Sequence, residues 1–179
     1  ALGGAVCTDS SVWRDKLNFA QKALGLNPSP FDCWLITRGV KTLPLRLEKQ
    51  THNASKIAKQ LADNPAIKSV RYPFRNDHPQ FELAQRQMSM GGAIVTATVN
   101  ATQDQTYSFC KNLHYFKMAE SLGGIESLVC HPATMTHASV PKETKLKIGI
   151  TDSLIRFSVG CEDIEDLSND LNQALGKIY

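Results

Sequence analysis

The sequence predicts an α/β fold in which helices pack on one face of a small sheet. Beyond residue 64, segments with the period-two alternation of strands exchange with segments whose apolar residues recur at helical spacing. Long polar loops join these segments, which is typical of helices packed on a sheet layer. The chain has 179 residues, of which 42% are hydrophobic and 21% charged, so it can bury a sizeable core.

The composition excludes several classes of function. The net charge of +3 comes from 20 basic and 17 acidic residues that are interspersed, without the clustered basic face of a nucleic-acid-binding protein. No apolar run approaches membrane-spanning length. The five cysteines are widely spaced and form no Cys-x-x-Cys motif, which favours reduced thiols in a cytoplasmic protein over a zinc site or a disulfide framework. The chain begins without Met on what reads as mid-domain sequence, so we expect a piece of a longer protein.

The first part of the chain predicts a short strand and a helix. Residues 3–8 are apolar or small and end on turn formers, as a strand does. The following helix has Ser10 as its N-cap and Gly25 as its C-cap. Because an isolated strand and helix cannot enclose a core, we expect this region to pack on other sequence or on a partner.

A second helical region begins with a specific signature. Ser29 is a plausible N-cap, Pro30 suits the first helical position, and Asp32 follows three residues after the cap. The region should extend to Asn64, with a kink or a division into two helices where Pro44 interrupts it. Its predicted buried stripe consists of Leu43, Leu47, Ala54, Ile57, Ala58 and Leu61.

The remaining elements follow from periodicity. Strands are predicted over 67–72, 93–99 and 153–159, and helices over 81–87, 102–113 and 162–177. The last helix carries an apolar stripe made of Ile164, Leu167, Leu171, Ala174 and Leu175.

Residues 119–139 have the composition of a ligand-facing loop. Two carboxylates, several hydroxyls and two histidines surround Gly123 and Gly124, where the backbone can turn or approach another group. A surface turn with capping Ser and Thr is the alternative. His131 and His137 have no third ligand at a useful spacing, so we expect no metal site, and no Gly-x-Ser-x-Gly motif indicates a serine nucleophile.

Arg156 is the most informative single residue. Period two places Ile155, Phe157 and Val159 on one face of the last strand, the predicted core face, and leaves Arg156 on the other. A lone guanidinium in a neutral strand suits bidentate binding of a carboxylate. An internal ion pair with one of the acids of residues 162–170 is the alternative.

Five segments together identify a family. In this order and spacing they closely resemble the C-terminal part of the Cys/Met-metabolism enzymes that depend on pyridoxal phosphate. The resemblance covers essentially the whole chain but only about the second half of a typical family member. The segments are Ser-Pro-Phe-Asp at 29–32, Arg-Gly-Val-Lys-Thr-Leu at 38–43, Ala-Glu-Ser-Leu-Gly-Gly at 119–124, Met-Thr-His-Ala at 135–138 and Leu-Ile-Arg-Phe-Ser-Val-Gly at 154–160.

The resemblance implies a fold-type-I transferase architecture. Residues 1–28 would end the large cofactor domain, residues 29–64 would form a long bridging helix kinked near Pro44, and residues 65–179 would form a small α/β domain with a mainly antiparallel sheet. A cytoplasmic homotetramer that acts on small amino acids, with no nucleic-acid or membrane partner, is implied as well.

The implied reaction is trans-sulfuration, most simply the cleavage of cystathionine to cysteine, 2-oxobutanoate and ammonia. Joining cysteine to an O-acyl-homoserine is the alternative, and a non-catalytic domain that binds carboxylates or a partner is a further one. Two departures from the family pattern bear on this choice. Lys117 and Met118 replace the more usual Thr-Leu, and Cys130 stands where many lyases have Glu.

The resemblance also implies roles for particular residues. Arg156 would hold the substrate α-carboxylate, and Ser121 would act as a catalytic residue that contacts the substrate or the cofactor lysine. Thr136 would line the site, and Glu120 would line the distal pocket that sets reaction preference. In the family the pyridoxal lysine and the residues around the cofactor ring precede sequence like residues 1–4. We therefore expect no cofactor-binding residue here and no catalysis by this chain alone.

Overall fold

The computed structural model describes residues 1–178, which divide into two compact units, Ala1–Pro44 and the residues from Leu45 onward. Tyr179, the last residue of the domain predicted over 65–179, lies outside the described residues. The domain bounds at residues 28 and 64 stay predictions. Within residues 1–178, no helix is both long and apolar enough to cross a membrane.

The N-terminal unit contains helices α1 (Ser11–Leu24) and α2 (Pro30–Val40), and neither helix buries a residue. Both predicted starts are confirmed. The Ser10 and Ser29 side chains accept hydrogen bonds from backbone N–H groups of the first turns, and Gly25 ends α1 in the left-handed conformation with φ 66°. The strand expected over residues 3–8 was wrong. Among the described residues no strand lies beside it to complete a ladder, so its apolar pattern yields irregular chain.

The start of α2 provides a prediction about pH. The Asp32 carboxylate accepts a hydrogen bond from the hydroxyl of Ser29 over 2.7 Å and another from the backbone N–H of Leu2 over 3.0 Å. These contacts lower the pKa of Asp32 from its ordinary 3.8. Their support of this helix start is complete above pH 3.8 and is lost as the pH falls through the lowered pKa. In an NMR titration of the carboxyl carbons, Ser29→Ala should raise the pKa of Asp32. An unchanged titration would contradict the contact.

As far as residue 178, the C-terminal unit contains three long helices, two short ones and five strands. Helix α3 begins just before the boundary of the unit, with Pro44 in its first turn, where a missing N–H is tolerated, so two helices replace the kinked one. The short helix α6 was not predicted. The elements are α3 (Leu43–Ala62), β1 (Ile67–Arg71), α4 (Phe81–Gln87), β2 (Ile94–Val99), α5 (Gln103–Asn112), β3 (Lys117–Met118), β4 (Leu128–Cys130), α6 (Lys142–Lys147), β5 (Leu154–Ser158) and α7 (Ile164–Leu175).

The five strands form one mixed sheet in the order β1-β2-β5-β4-β3. Three of its four neighbouring pairs are antiparallel, and only β3 and β4 run parallel. Strand β5, which comes last in the chain, therefore lies at the centre between β2 and β4. The α/β class predicted from the sequence is confirmed.

The core lies between one face of this sheet and helices α3, α5 and α7. Ile155, Phe157 and Val159 are completely buried there, as the period-two pattern predicted. The Phe157 ring makes edge-to-face contacts with Phe109 at 6.5 Å and with Phe116 at 5.2 Å between centroids. The face of β5 that carries Arg156 thus points away from the main core.

The stripe predicted for α3 is only partly right. Leu43 and Leu47 are more than a third exposed, whereas the four later members are buried. Two polar residues, Gln50 and Asn53, are buried in their place. A buried amide is stable only when it is hydrogen-bonded, so these two side chains must have partners.

Asp170 is a buried carboxylate that the sequence did not reveal. Only 4% of it is exposed, on the face of α7 that packs on the core. Its oxygens accept hydrogen bonds from the backbone N–H groups of His114 and Tyr115 at 2.8 Å and of Phe116 at 3.3 Å. The carboxylate therefore fixes the turn that leads from α5 to β3.

All five cysteines are free thiols, and their environments predict an order of alkylation. Cys7 and Cys33 are exposed, whereas burial raises the pKa of Cys110 to about 12. Because the thiolate is the nucleophile, iodoacetamide at about pH 8.5 should modify the two exposed thiols first and Cys110 last. Peptide mapping after timed quenching measures this order, with denatured protein as the control in which all five react. Equal rates for Cys110 and Cys33 would contradict it.

Candidate functional site

Arg156 lies at the centre of the sheet, on the face opposite the core. The register of β5 places it beside Thr96 of β2 and Cys130 of β4. Its Nη2 atom donates to the backbone carbonyl of Glu120 over 2.8 Å and to that of Ser121 over 3.3 Å. Two carbonyl oxygens of one loop thus orient the guanidinium without neutralising its charge.

The ion pair considered for Arg156 in the sequence does not form. The ion pairs among residues 1–178 involve other side chains, and Glu162, the nearest of the suggested acids in sequence, bonds to Ser127 instead. The Nε–H of Arg156 is buried and has no hydrogen-bond partner in this part of the chain. The side chain as a whole is only half-buried, but a buried N–H group without a partner is costly. A carboxylate that accepts from this guanidinium would remove that cost.

The loop over residues 119–127 presents the two carbonyls, and a glycine shapes it. Gly123 has a φ of +77°, in the left-handed region that favours glycine. Its N–H donates to the Ser158 hydroxyl over 2.9 Å, and Ser158 shares the Arg156 face of β5. The expectation of a special backbone turn at the glycine pair is confirmed for Gly123.

The far end of this loop is fixed by a group of hydrogen bonds that we call the Ser127 clip, made by Ser127, Gly160 and Glu162. The N–H of Ser127 donates to one oxygen of the Glu162 carboxylate over 2.6 Å, and its hydroxyl donates to the other over 2.8 Å. The same hydroxyl accepts from the N–H of Gly160 over 2.8 Å. A Cβ at position 160 would come within 2.6 Å of the Ser127 nitrogen, so only glycine permits this approach.

Gln50 and Asn53 of α3 support both sides of the clip. The Gln50 amide donates to the carbonyl of Gly124 over 2.5 Å, and the Asn53 amide donates to the carbonyls of Gly160 and Glu162 over 3.1 and 2.9 Å. Sequence reasoning missed both residues. The available signal was two amides at the spacing of the apolar stripe, where a helix facing a core should carry apolar side chains.

Thr136 is linked to Arg156 through one intervening residue, Cys130. Its hydroxyl is 2.8 Å from Nδ1 of His137 and 3.9 Å from the sulfur of Cys130, which is the cross-strand neighbour of Arg156. The structure therefore joins Glu120 and Ser121 directly to Arg156 through their carbonyls. Thr136 is connected to the same face through Cys130.

The contacts of His131 indicate a structural role. It is fully buried, and its Nε2 donates to the carbonyl of Asp152 over 2.9 Å, which leaves Nδ1 to accept from the Thr134 hydroxyl over 2.7 Å. Both ring nitrogens are thereby used. Across residues 1–178, no three side chains of metal-binding type lie close enough together to hold an ion.

Comparison with known proteins gives a consistent result. The family of Cys/Met metabolism PLP-dependent enzymes matches residues 1–176. Cystathionine γ-lyase of Dictyostelium discoideum is 48% identical over 97% of this chain and 45% of its own length, and cystathionine β-lyase of Lactococcus lactis is 47% identical over 98% and 46%. The chain therefore spans less than half the length of these relatives.

The similarity extends to solved structures. Cystathionine γ-synthase of Xanthomonas oryzae, crystallised with aminoacrylate and cysteine, superposes with a TM-score of 0.89 at 39% identity, over 94% of this chain and 44% of that one. The resemblance inferred from the five sequence segments is confirmed. The chain belongs to the Cys/Met metabolism family of pyridoxal-phosphate-dependent enzymes.

Proposed function

We propose that this chain supplies the substrate-carboxylate site of a trans-sulfuration enzyme that cleaves cystathionine to cysteine, 2-oxobutanoate and ammonia. The observation that carries the proposal is Arg156, a cation that two loop carbonyls position and whose buried Nε–H has no hydrogen-bond partner among residues 1–178. Similarity to cystathionine γ-lyases over nearly the whole chain supports the choice of reaction.

Arg156 binds the α-carboxylate of the amino acid and so fixes the orientation of the substrate. The Glu120 and Ser121 carbonyls aim the guanidinium, so little freedom is lost when the carboxylate arrives. Orientation of the reacting atoms converts binding energy into rate. Pyridoxal phosphate, when bound, supplies the electron sink for chemistry at the substrate Cα.

The other site residues have roles around this anchor. The Ser121 side chain, exposed at the loop turn, contacts the substrate or the cofactor lysine, and the exposed Glu120 carboxylate lines the distal part of the pocket. Thr136 lines the site beside Cys130. Ser121 is thus the proposed catalytic residue, and Arg156, Glu120 and Thr136 bind substrate.

The lysines of residues 1–178 do not fit the covalent attachment of the cofactor. A lysine that forms a Schiff base at neutral pH needs burial or a neighbouring cation to lower its pKa, and every described lysine is exposed or half-exposed. Lys117, the nearest in sequence to the 119–127 loop, donates to the carbonyl of His114. After addition of pyridoxal phosphate to this chain and reduction with borohydride, peptide mapping should find no stoichiometrically labelled lysine. One fully labelled lysine would overturn this assignment.

A homotetramer of full-length chains and a cytoplasmic location belong to the same proposal. Five unpaired thiols suit a reducing compartment. Light scattering of the full-length protein tests the assembly.

Product analysis of the pyridoxal-phosphate-loaded, full-length enzyme tests the reaction. Cystathionine should yield cysteine and 2-oxobutanoate. The similarity to the Xanthomonas γ-synthase and the thiol at Cys130 favour one second candidate, the joining of cysteine to an O-acyl-homoserine. Turnover of cysteine plus O-acyl-homoserine without cleavage of cystathionine would select that reaction. Pyruvate in place of 2-oxobutanoate would place the cleavage on the other side of the sulfur.

A further inference from the structure

Glu162 has no direct contact with Arg156, yet it is connected to it through the 119–127 loop. Its carboxylate takes both hydrogen bonds that Ser127 can donate, from the backbone N–H and from the hydroxyl. This use of both carboxylate oxygens on one residue fixes position and direction together. A hydroxyl or an amide in place of the carboxylate could not accept in this way with both atoms.

The clip joins two strand ends that each lead into the site. Ser127 directly precedes β4, whose Cys130 lies opposite Arg156, and Gly160 lies two residues beyond the end of β5, which carries Arg156 itself. The N–H of Cys161 adds a hydrogen bond of 2.8 Å to the carbonyl of Ile125. The loop is therefore attached to the end of the strand whose arginine it orients.

The other attachment of the loop lies closer to the arginine. Gly123 bonds to Ser158, two residues beyond Arg156 on the same face. Between these two attachments, residues 124–126 are exposed. Glu120 and Ser121 lie before this span, between Ala119, whose N–H donates to the carbonyl of Val129 over 3.0 Å, and Gly123. A shift at the Ser127 clip therefore reaches their carbonyls along residues 124–126 and through Gly123.

We propose that Glu162 is a positioning residue for the carboxylate site: through the Ser127 clip it holds the loop whose carbonyls aim Arg156. The inference rests on the proposed function, since it assumes that Arg156 binds the substrate carboxylate. Loss of the clip lets the loop move by a fraction of an ångström or more, and the guanidinium loses its preset direction. Misplacement on this scale weakens substrate binding and orientation while the fold persists.

The test compares Glu162→Ala with Glu165→Ala in the full-length holoenzyme. Glu165 is an exposed carboxylate three residues further along, and its side chain makes no hydrogen bond or ion pair in the described chain, so its removal controls for lost charge. Glu162→Ala should raise KM for cystathionine about tenfold with a smaller change in kcat. Hydrogen–deuterium exchange of the peptide covering residues 119–127 should become faster. Glu165→Ala should change neither quantity.

Two further variants keep the outcome decisive. Ser127→Ala removes the hydroxyl but keeps the Glu162 carboxylate, and it should also raise KM. It replaces Glu162→Ala as the test if that variant fails to fold. Glu162→Gln keeps one acceptor oxygen, so its KM should lie between that of the wild type and that of Glu162→Ala. A melting temperature that falls while KM and loop exchange stay at wild-type values would overturn the inference and leave Glu162 a stabilising residue only.

The result is separable from the proposed function. If Arg156→Ala leaves KM unchanged, the carboxylate role of Arg156 fails, and with it the assumption on which the inference rests. If Arg156→Ala raises KM and Glu162→Ala does not, the proposed function stands and the positioning role of Glu162 fails. In the double variant that combines Arg156→Ala with Glu162→Ala, KM should rise no further than in Arg156→Ala alone, because Glu162 acts through the arginine.

Discussion

Replacing Arg156 by Lys in the full-length holoenzyme is expected to lower kcat/KM for cystathionine by about two orders of magnitude, with most of the loss in KM. Lysine keeps the charge but presents it at a point, and it lacks the planar fork that matches a carboxylate. Its ammonium would also have to satisfy the Glu120 and Ser121 carbonyls that the guanidinium now bonds. A hydrogen bond to a charged group contributes about 1.5–3 kcal/mol, which corresponds to a factor of about 10 to 200.

Steady-state kinetics with cystathionine measures this effect, and Arg86→Lys is the matched control. Arg86 is exposed near the end of α4, and its side chain forms no ion pair or hydrogen bond among residues 1–178. The control should keep wild-type kinetics. Wild-type KM in both Arg156→Lys and Arg156→Ala would remove Arg156 from the carboxylate role.

Replacing Asp170 by Asn should lower the free energy of unfolding by about 3 kcal/mol. The buried carboxylate accepts from three consecutive backbone N–H groups, and an amide offers a single oxygen with donors of its own. At least one of these N–H groups would then face an NH₂ group in a buried site. Unsatisfied buried donors cost about 1–3 kcal/mol each, and more when the lost partner was charged.

Urea unfolding followed by circular dichroism measures this loss. Asp166→Asn, on the exposed face of the same helix, is the control and should change stability by less than about 1 kcal/mol, since it alters only a charge near the helix start. Equal stability of the two variants would show that the Asp170 contacts do not contribute as described.

Residue patterns predicted the elements that carry a regular period. The alternation around Arg156 correctly separated the buried Ile155 and Phe157 from the face that binds the loop, because a single strand contains all that information. The N-caps Ser10 and Ser29 could be predicted for the same reason, since a capping signal lies within a few neighbouring residues. The family motifs then implied a carboxylate-binding role for Arg156, which stays a prediction.

The polar residues that support the site could not be predicted in the same way. Asp170 and Asn53 bond mainly to backbone groups, and Glu162 bonds to both the backbone and the side chain of Ser127. Backbone groups carry no sequence signature, and these partners come from distant parts of the chain. An acid or amide on a helix face is most often solvated, so its burial becomes visible only when the partner backbone is in place. The strand expected over residues 3–8 failed for the related reason that pairing is not local.

The central place of β5 has a consequence for synthesis on the ribosome. At about 5 to 20 residues per second, β5 emerges about 3 to 12 s after β2, the strand it must join. Until then the nascent chain holds β2 with one edge unpaired and its apolar side, including Val95 and Val99, uncovered. An unpaired strand edge can pair with other chains, so we expect the nascent chain to aggregate most readily, and to depend most on chaperones, during this interval of translation. Arg156 arrives with the strand that ends this interval, so it takes its place beside Thr96 and Cys130 only when that strand has joined the sheet.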